Sequence, residues 1–143
     1  MPEKRTMKRA QQDKREGKAP STQAGEFVRE EIHHVRQGKH GARSAKQAIA
    51  IGLNKARRAG VDLPPPKGAS GKTRESAESA SSRAGKKTSA RRSRAVSGAL
   101  KREGHRSASS RALSRQAGSS ARRRTAADRS RAAKKAARTR ARE

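Results

Sequence analysis

The chain contains no cysteine, tryptophan or tyrosine, and Phe27 is its single aromatic residue. The lack of cysteine excludes disulfide bonds and thiolate metal sites. One phenylalanine cannot form the series of aromatic surfaces on which proteins stack single-stranded bases. No run of even ten apolar residues occurs, so we expect neither a transmembrane helix nor a signal peptide. The N-terminal sequence, Met1-Pro2-Glu3-Lys4-Arg5, reads as a cytoplasmic start.

Large apolar residues are also scarce. Only fourteen Met, Phe, Val, Ile and Leu residues occur in 143, and eleven of them precede residue 64. Ordering a residue costs about 1–2 kcal/mol of backbone entropy, which buried apolar surface must offset. We therefore expect an ordered N-terminal part and a largely disordered remainder.

Positive charge is the most abundant feature. Thirty-nine Lys and Arg residues against twelve acids give a net charge of +27. Residues 89–143, the basic tail, carry eighteen of these cations and three acids, hence +15. A chain with this imbalance repels itself and favours a polyanionic partner.

Apolar periodicity predicts a small all-α fold, a helical hairpin over about 22–37 and 45–59. The first stripe contains Ala24, Phe27, Val28, Ile32 and Val35, whereas Glu26, Glu30 and Glu31 are expected on the exposed face. The second helix opens with a capping box, Ser44-Ala45-Lys46-Gln47, and its small residues Ala48, Gly52 and Ala56 allow close approach. Because so small a hairpin is marginal alone, a homodimer through residues 21–60 is possible.

Four regions follow from composition. Residues 1–20 form a basic arm with a frayed helix, 21–63 the hairpin module, 64–88 a Pro/Gly/Ser linker, and 89–143 the basic tail. The linker begins with Pro64-Pro65-Pro66, which marks a boundary, and is expected to be flexible. The tail is rich in Ala, Arg and Ser, and we expect it to be mostly disordered and partly helical.

Unpaired cations are the candidate nucleic-acid-binding residues. In the tail they have almost no acid nearby, unlike an ordinary solvated face, which mixes both signs. The loop before the second helix and the exposed side of that helix form a second candidate surface, since helix N-termini favour anions. The residues of both sets are Arg91, Arg92, Arg94, Arg122, Arg123, Arg124, Lys134, Lys135, Arg138, Arg140, Lys39, Arg43, Lys46, Arg57 and Arg58.

Catalytic and metal chemistry is not expected. Gly68-Ala69-Ser70-Gly71-Lys72-Thr73 resembles the end of a phosphate-binding loop, but Pro66 stands where its first glycine is required. No cysteine nucleophile exists, and no buried base activates a serine. His33 and His34 are adjacent and point about 100° apart on a helix, so we expect them to be exposed and to bind no metal. No cofactor is predicted.

Two segments resemble known groups of proteins. The segment Ser44-Ala45-Lys46-Gln47-Ala48-Ile49-Ala50-Ile51-Gly52-Leu53 resembles short basic bacterial proteins of an uncharacterised family, over residues 21–66. The tail is similar in composition to the arms of bacterial linker-histone-like proteins, although it has more Arg and Ser. The first resemblance implies a bacterial protein and brings no catalytic residues, and the second is one of composition only. If the protein binds DNA, we expect it in the bacterial cytoplasm, at the nucleoid.

Together these features predict a non-enzymatic protein that binds DNA through its phosphates, without sequence specificity. Two alternatives stay open, an RNA- or ribosome-associated protein and a hydrophilic stress-protection protein. Composition does not separate DNA from RNA, because both offer the same phosphates.

Overall fold

A computed structural model describes residues 1–142 and is all-helical over them. No β-strand occurs among these residues. A 3₁₀ turn at Arg106–Ala108 interrupts the series of helices. These are α1 (Lys4–Arg15), α2 (Pro20–Arg36), α3 (Ala45–Arg58), α4 (Gly71–Ser82), α5 (Ala90–Lys101), α6 (Ser110–Arg122) and α7 (Ala126–Arg140). The predicted all-α class is therefore confirmed.

The centre of the fold is the pair α2 and α3, which pack against each other as the two apolar stripes predicted. Phe27 and Val35 of α2 and Ala56 of α3 are fully buried. The helices approach most closely at Gly52, where a Cβ atom would lie 2.6 Å from the Cα of Val28. The small residues of α3 thus set the distance between the helices, since larger ones would collide with the α2 backbone.

Two further helices cover this pair. On one side α1, which was expected to be frayed, packs against α2, and Ala10 is buried in the cluster that contains Phe27, Ala56 and Val61. On the other side α4 packs against α3 and buries Ala77 and Ala80. The expectation of a flexible linker over 64–88 therefore overlooked a helix. Ser70 caps its start by accepting a hydrogen bond from the Thr73 amide.

The expectation of a mostly disordered basic tail is wrong, because α5, α6 and α7 occupy most of it. Ala and Arg have high helix propensity, and each of these helices begins with a side-chain cap. Ser89, Ser109 and Thr125 accept hydrogen bonds from the backbone amides three residues later. Low apolar content therefore did not predict the order of the tail correctly. Helix propensity and N-terminal caps favour helices here although the tail has few apolar residues to bury.

The tail also docks on the hairpin rather than extending from it. Ala108, in the 3₁₀ turn, is fully buried against Ile32, Val35, Ala42 and Ala48. The guanidinium of Arg36 donates to the Ala108 carbonyl through Nε at 2.8 Å. The tail therefore completes the core of the hairpin.

A short loop between α2 and α3 forms the other half of this junction. Gly41 and Ala42 donate backbone hydrogen bonds to the carbonyls of Leu100 and Gly104, at 2.8 and 3.0 Å. A Cβ atom at Gly41 would collide with the backbone carbonyl of Glu103, so only glycine permits this approach. Because α1, α4 and the tail cover the hairpin, its marginal size no longer argues for a homodimer.

No helix within residues 1–142 is both long and apolar enough to span a bilayer.

Candidate nucleic-acid interface

A groove of about 650 Å³ lies between the N-terminal ends of α3 and α6. Its cationic side chains are exposed, and none of the described side chains that line it is acidic. Serines supply most of its other polar groups. The cations of the groove are Arg43, Lys46, Arg106, Arg111 and Arg115. We call this surface the basic groove.

Helix geometry adds to the positive character of the basic groove. Ser44 caps α3 by accepting from the Gln47 amide at 3.1 Å, and Ser109 caps α6 by accepting from the Ala112 amide at 3.2 Å. The predicted capping box is confirmed in part, since the Gln47 side chain accepts from the Arg43 amide rather than from that of Ser44. Two helix N-termini, each with a partial positive charge, therefore open on one groove.

Sequence reasoning found only half of the groove. Arg43 and Lys46 belong to the predicted set, and both line it. Arg106, Arg111 and Arg115 were not predicted, although the last two lie four residues apart and so share one face of α6. The sequence could have indicated them, because Ser109 is a typical N-terminal helix cap and lies between Arg106 and Arg111.

The predicted tail cations are exposed on helices and form no single cluster with the groove. Arg91, Arg92 and Arg94 lie on the first turns of α5, and Arg122, Arg123 and Arg124 at the junction of α6 and α7. On α7, Lys135 and Arg138 lie near the turn that joins α1 to α2, and Lys134 and Arg140 are likewise exposed. Among the described tail residues the acids are Glu103 and Asp128, and Asp128 pairs with Arg131. Within residues 1–142 none of these predicted tail cations forms an ion pair, although Glu16 lines the same pocket as Lys135 and Arg138.

Three predicted cations instead serve the chain itself. Arg57 is only 5% exposed and donates to the carbonyls of Leu63 and Pro64. Burial lowers the pKa of its guanidinium below the ordinary arginine value. We therefore remove Arg57 from the phosphate-binding set.

The other two are partly accessible. Arg58 donates to the Lys86 carbonyl at 3.0 Å and to the Thr88 hydroxyl at 2.7 Å, which ties α3 to the segment after α4. Lys39 pairs with Glu3 at 3.1 Å. Both would have to exchange an intramolecular partner for a phosphate.

Glu30 and Glu31 lie inside the fold and not on an exposed face as expected. Their side chains are 3% and 1% exposed. Lys55 compensates their charge, with its Nζ at 2.6 Å from Glu31 Oε2 and 3.8 Å from Glu30 Oε1. The amide of Glu3 donates to Glu30 Oε2 at 3.0 Å. Lys55 is therefore another cation that the fold uses internally.

Two histidines join this acidic pair, which the expectation of exposed histidines did not foresee. One ligand atom each of Glu31, His34 and His40 lies within 4.8 Å of the others. The two histidine side chains are only 12% and 15% exposed. His33, the neighbour of His34 in the sequence, is exposed as expected and does not belong to this cluster.

A comparison with protein families gives one match, a family of unknown function (DUF6496) over residues 14–67. This region contains α2 and α3 and is less than half of the chain. It agrees with the resemblance to an uncharacterised family, while the bacterial source stays a prediction. Neither the curated proteins nor the solved structures give a match.

Proposed function

We propose that this protein binds double-stranded nucleic acid through its phosphates, without base-sequence specificity. The observation that supports this most is the basic groove, in which five cations and two helix N-termini meet and no acid of residues 1–142 lines the surface. Such a surface is stable only if counterions or a polyanion screen it. Regularly spaced phosphates supply that screening, and the released counterions supply the binding free energy.

Phosphate recognition also fits the side chains that are present. Four of the five groove cations are arginines, which can grip a phosphate with two donors at once. Phe27, the one aromatic residue, is 1% exposed and cannot stack on a base. A duplex, whose bases are already stacked, is therefore a better ligand than a single strand.

The tail helices present a second set of cations outside the basic groove. Their exposed cations lie on α5, on α7 and at the junction between α6 and α7, away from the basic groove. We infer that the groove orients the protein on the backbone and that the tail neutralises further phosphates. DNA is the preferred ligand in this proposal, which makes the protein a histone-like component of the nucleoid.

The test is a binding titration with several unrelated duplexes of equal length at a series of salt concentrations. If about eight phosphates are neutralised, the plot of log affinity against log salt should have a slope near −7 for every duplex. Strong preference for one sequence, or tight binding that persists at about 0.5 M salt, would contradict the proposal.

Direct competition between duplex DNA and structured RNA decides the preferred polymer. A-form and B-form duplexes present the same phosphates at different spacings, so a rigid groove should favour one of them. Displacement of bound DNA by an equal amount of structured RNA would replace the DNA assignment by an RNA one and leave the phosphate mechanism unchanged.

A further inference from the structure

The buried carboxylate of Glu31 has one satisfied and one unsatisfied oxygen. Oε2 accepts a hydrogen bond from the Lys55 ammonium at 2.6 Å. Oε1 is buried and has no hydrogen-bond partner among the described residues. It lies 3.1 Å from Nε2 of His40, without the alignment of a hydrogen bond. Burial of such an oxygen is costly unless a hydrogen-bond donor or a cation reaches it.

The hydrogen bond on the other side of His40 decides what faces Glu31. Nδ1 of His40 lies 3.0 Å from the Gly41 carbonyl oxygen, which can only accept, so Nδ1 carries the proton. In a neutral His40 the unprotonated Nε2 is therefore the ring nitrogen that lies 3.1 Å from Glu31 Oε1. These two electron-rich atoms repel each other at this distance unless a cation lies near both.

His34 completes the group from one turn further along α2. Its Nε2 donates to Glu3 Oε1 at 2.9 Å, which leaves the lone pair of a neutral ring on Nδ1. The rings of His34 and His40 meet edge to face, with their centroids 6.1 Å apart. Both imidazoles thus have the outer hydrogen bond, to a carboxylate or a backbone carbonyl, that is usual for metal-bound histidine.

We propose that Glu31, His34 and His40 bind a divalent transition metal, with Zn²⁺ the best match to one carboxylate and two imidazoles. Tetrahedral ligands at about 2.0–2.1 Å from zinc lie roughly 3.3 Å apart. The 3.1 Å separation of Glu31 Oε1 and His40 Nε2 is close to this value, and all three ligand atoms lie within 4.8 Å. Bringing the third ligand to the same spacing requires rotation of the side chains, and the fourth position of a tetrahedral zinc ion would be open to water.

A metal here would stabilise the junction on which the tail docks. His40 lies in the loop between α2 and α3, and its carbonyl accepts a hydrogen bond from His105 at 3.2 Å. The next two residues, Gly41 and Ala42, bind the carbonyls of Leu100 and Gly104. Holding His40 against α2 therefore holds the segment that leads into the basic groove. The metal proposal does not depend on the nucleic-acid proposal.

The first experiment uses the untagged full-length protein and Zn²⁺ alone, followed by NMR of the four histidine rings. We expect the signals of His34 and His40 to shift together and to saturate at one equivalent, whereas those of His33 and His105 shift little. The binding should weaken below about pH 6, because protons compete for the imidazole nitrogens. Equal shifts of all four histidines, or no saturable shift, would overturn the proposal.

The second experiment compares variants by competition with a chromophoric chelator. His40→Gln and Glu31→Gln each remove one ligand, and we expect them to weaken Zn²⁺ binding by more than about a hundredfold. His33→Gln is the matched control. His33 is exposed on α2, the helix that carries Glu31, and this variant should bind Zn²⁺ as the parent protein does. Circular dichroism reports whether each variant folds. If both ligand variants fold and their affinity for Zn²⁺ is unchanged, the metal proposal is wrong. The site is then an internal ion pair between a protonated His40 and Glu31.

Discussion

The basic groove can be tested separately from the overall charge of the protein. The triple substitution Arg106→Gln, Arg111→Gln and Arg115→Gln removes three of its five cations. All three side chains are exposed, so the change should leave the core intact. The caps of α3 and α6 are also preserved, because Ser44 and Ser109 are untouched.

The expected effect follows from counterion release. Each phosphate contact contributes about 0.9 to the slope of log affinity against log salt. Losing three contacts should therefore make the slope less steep by about 2.7. At about 0.1 M salt the same three contacts correspond to a loss of affinity of roughly 500-fold.

The assay is fluorescence anisotropy with a labelled duplex over a range of salt concentrations. A matched control, Lys72→Gln, Arg74→Gln and Arg83→Gln, removes the same three charges at exposed positions on and beside α4, outside the groove. We expect this control to change the slope by less than one contact's contribution, about 0.9.

Equal losses in the groove variant and in the control would refute the reasoning. Binding would then depend on net charge alone, and the meeting of α3 and α6 would have no part in it. An unchanged slope in the groove variant would likewise remove these three arginines from the interface.

Three predictions concern the fold and its stability. Gly52→Ala should destabilise the protein by about 1–3 kcal/mol in urea unfolding, because the new methyl group meets the α2 backbone at 2.6 Å. Gly25→Ala, where no atom lies within 4 Å, should stabilise it by about 0.5–1 kcal/mol. Ala108→Gln should release the tail and expose it to limited proteolysis, whereas Ala117→Gln, at an exposed position on α6, should not. The third prediction concerns pH. Hydrogen bonds from His34 and Lys39 lower the pKa of Glu3 to about 2. The stability that depends on Glu3 should therefore be complete above the ordinary carboxyl pKa of 4.5 and should be lost as pH falls through about 2.

Each of these has a contrary outcome. Similar unfolding curves for the two glycine variants would show that α2 and α3 do not approach as closely as described. Cleavage of the tail at the same rate in Ala108→Gln and in Ala117→Gln would mean that Ala108 does not anchor the tail. The pH prediction is checked by comparing the parent protein with Glu3→Gln, and a difference between them at pH 2 as large as that at pH 7 would contradict it.

The hairpin was largely predictable because its signals are local. Apolar spacing located α2 and α3 to within two residues at each end, and the Ser44 cap marked the start of the second helix. The prediction of close approach at Gly52 is confirmed as well, since a stripe of small residues lets a second helix backbone come close.

The errors have a common physical origin. Apolar content underestimated the order of the tail because it ignores helix propensity and capping, which act through neighbouring residues. Glu30, Glu31 and His34 were expected at the surface because each was judged as an isolated polar residue. Their burial depends on Lys55, Glu3 and His40, which come from other elements.

By itself the sequence determined that this protein is a helical polycation without aromatic platforms, because charge and composition do not depend on the fold. Only the tertiary structure decided which cations are available to a partner. It buried Arg57, paired Lys39 and Lys55 with acids, and brought Arg43 and Lys46 to the arginines at the start of α6. These pairings join residues that are distant along the chain, and no local pattern records which of them will meet.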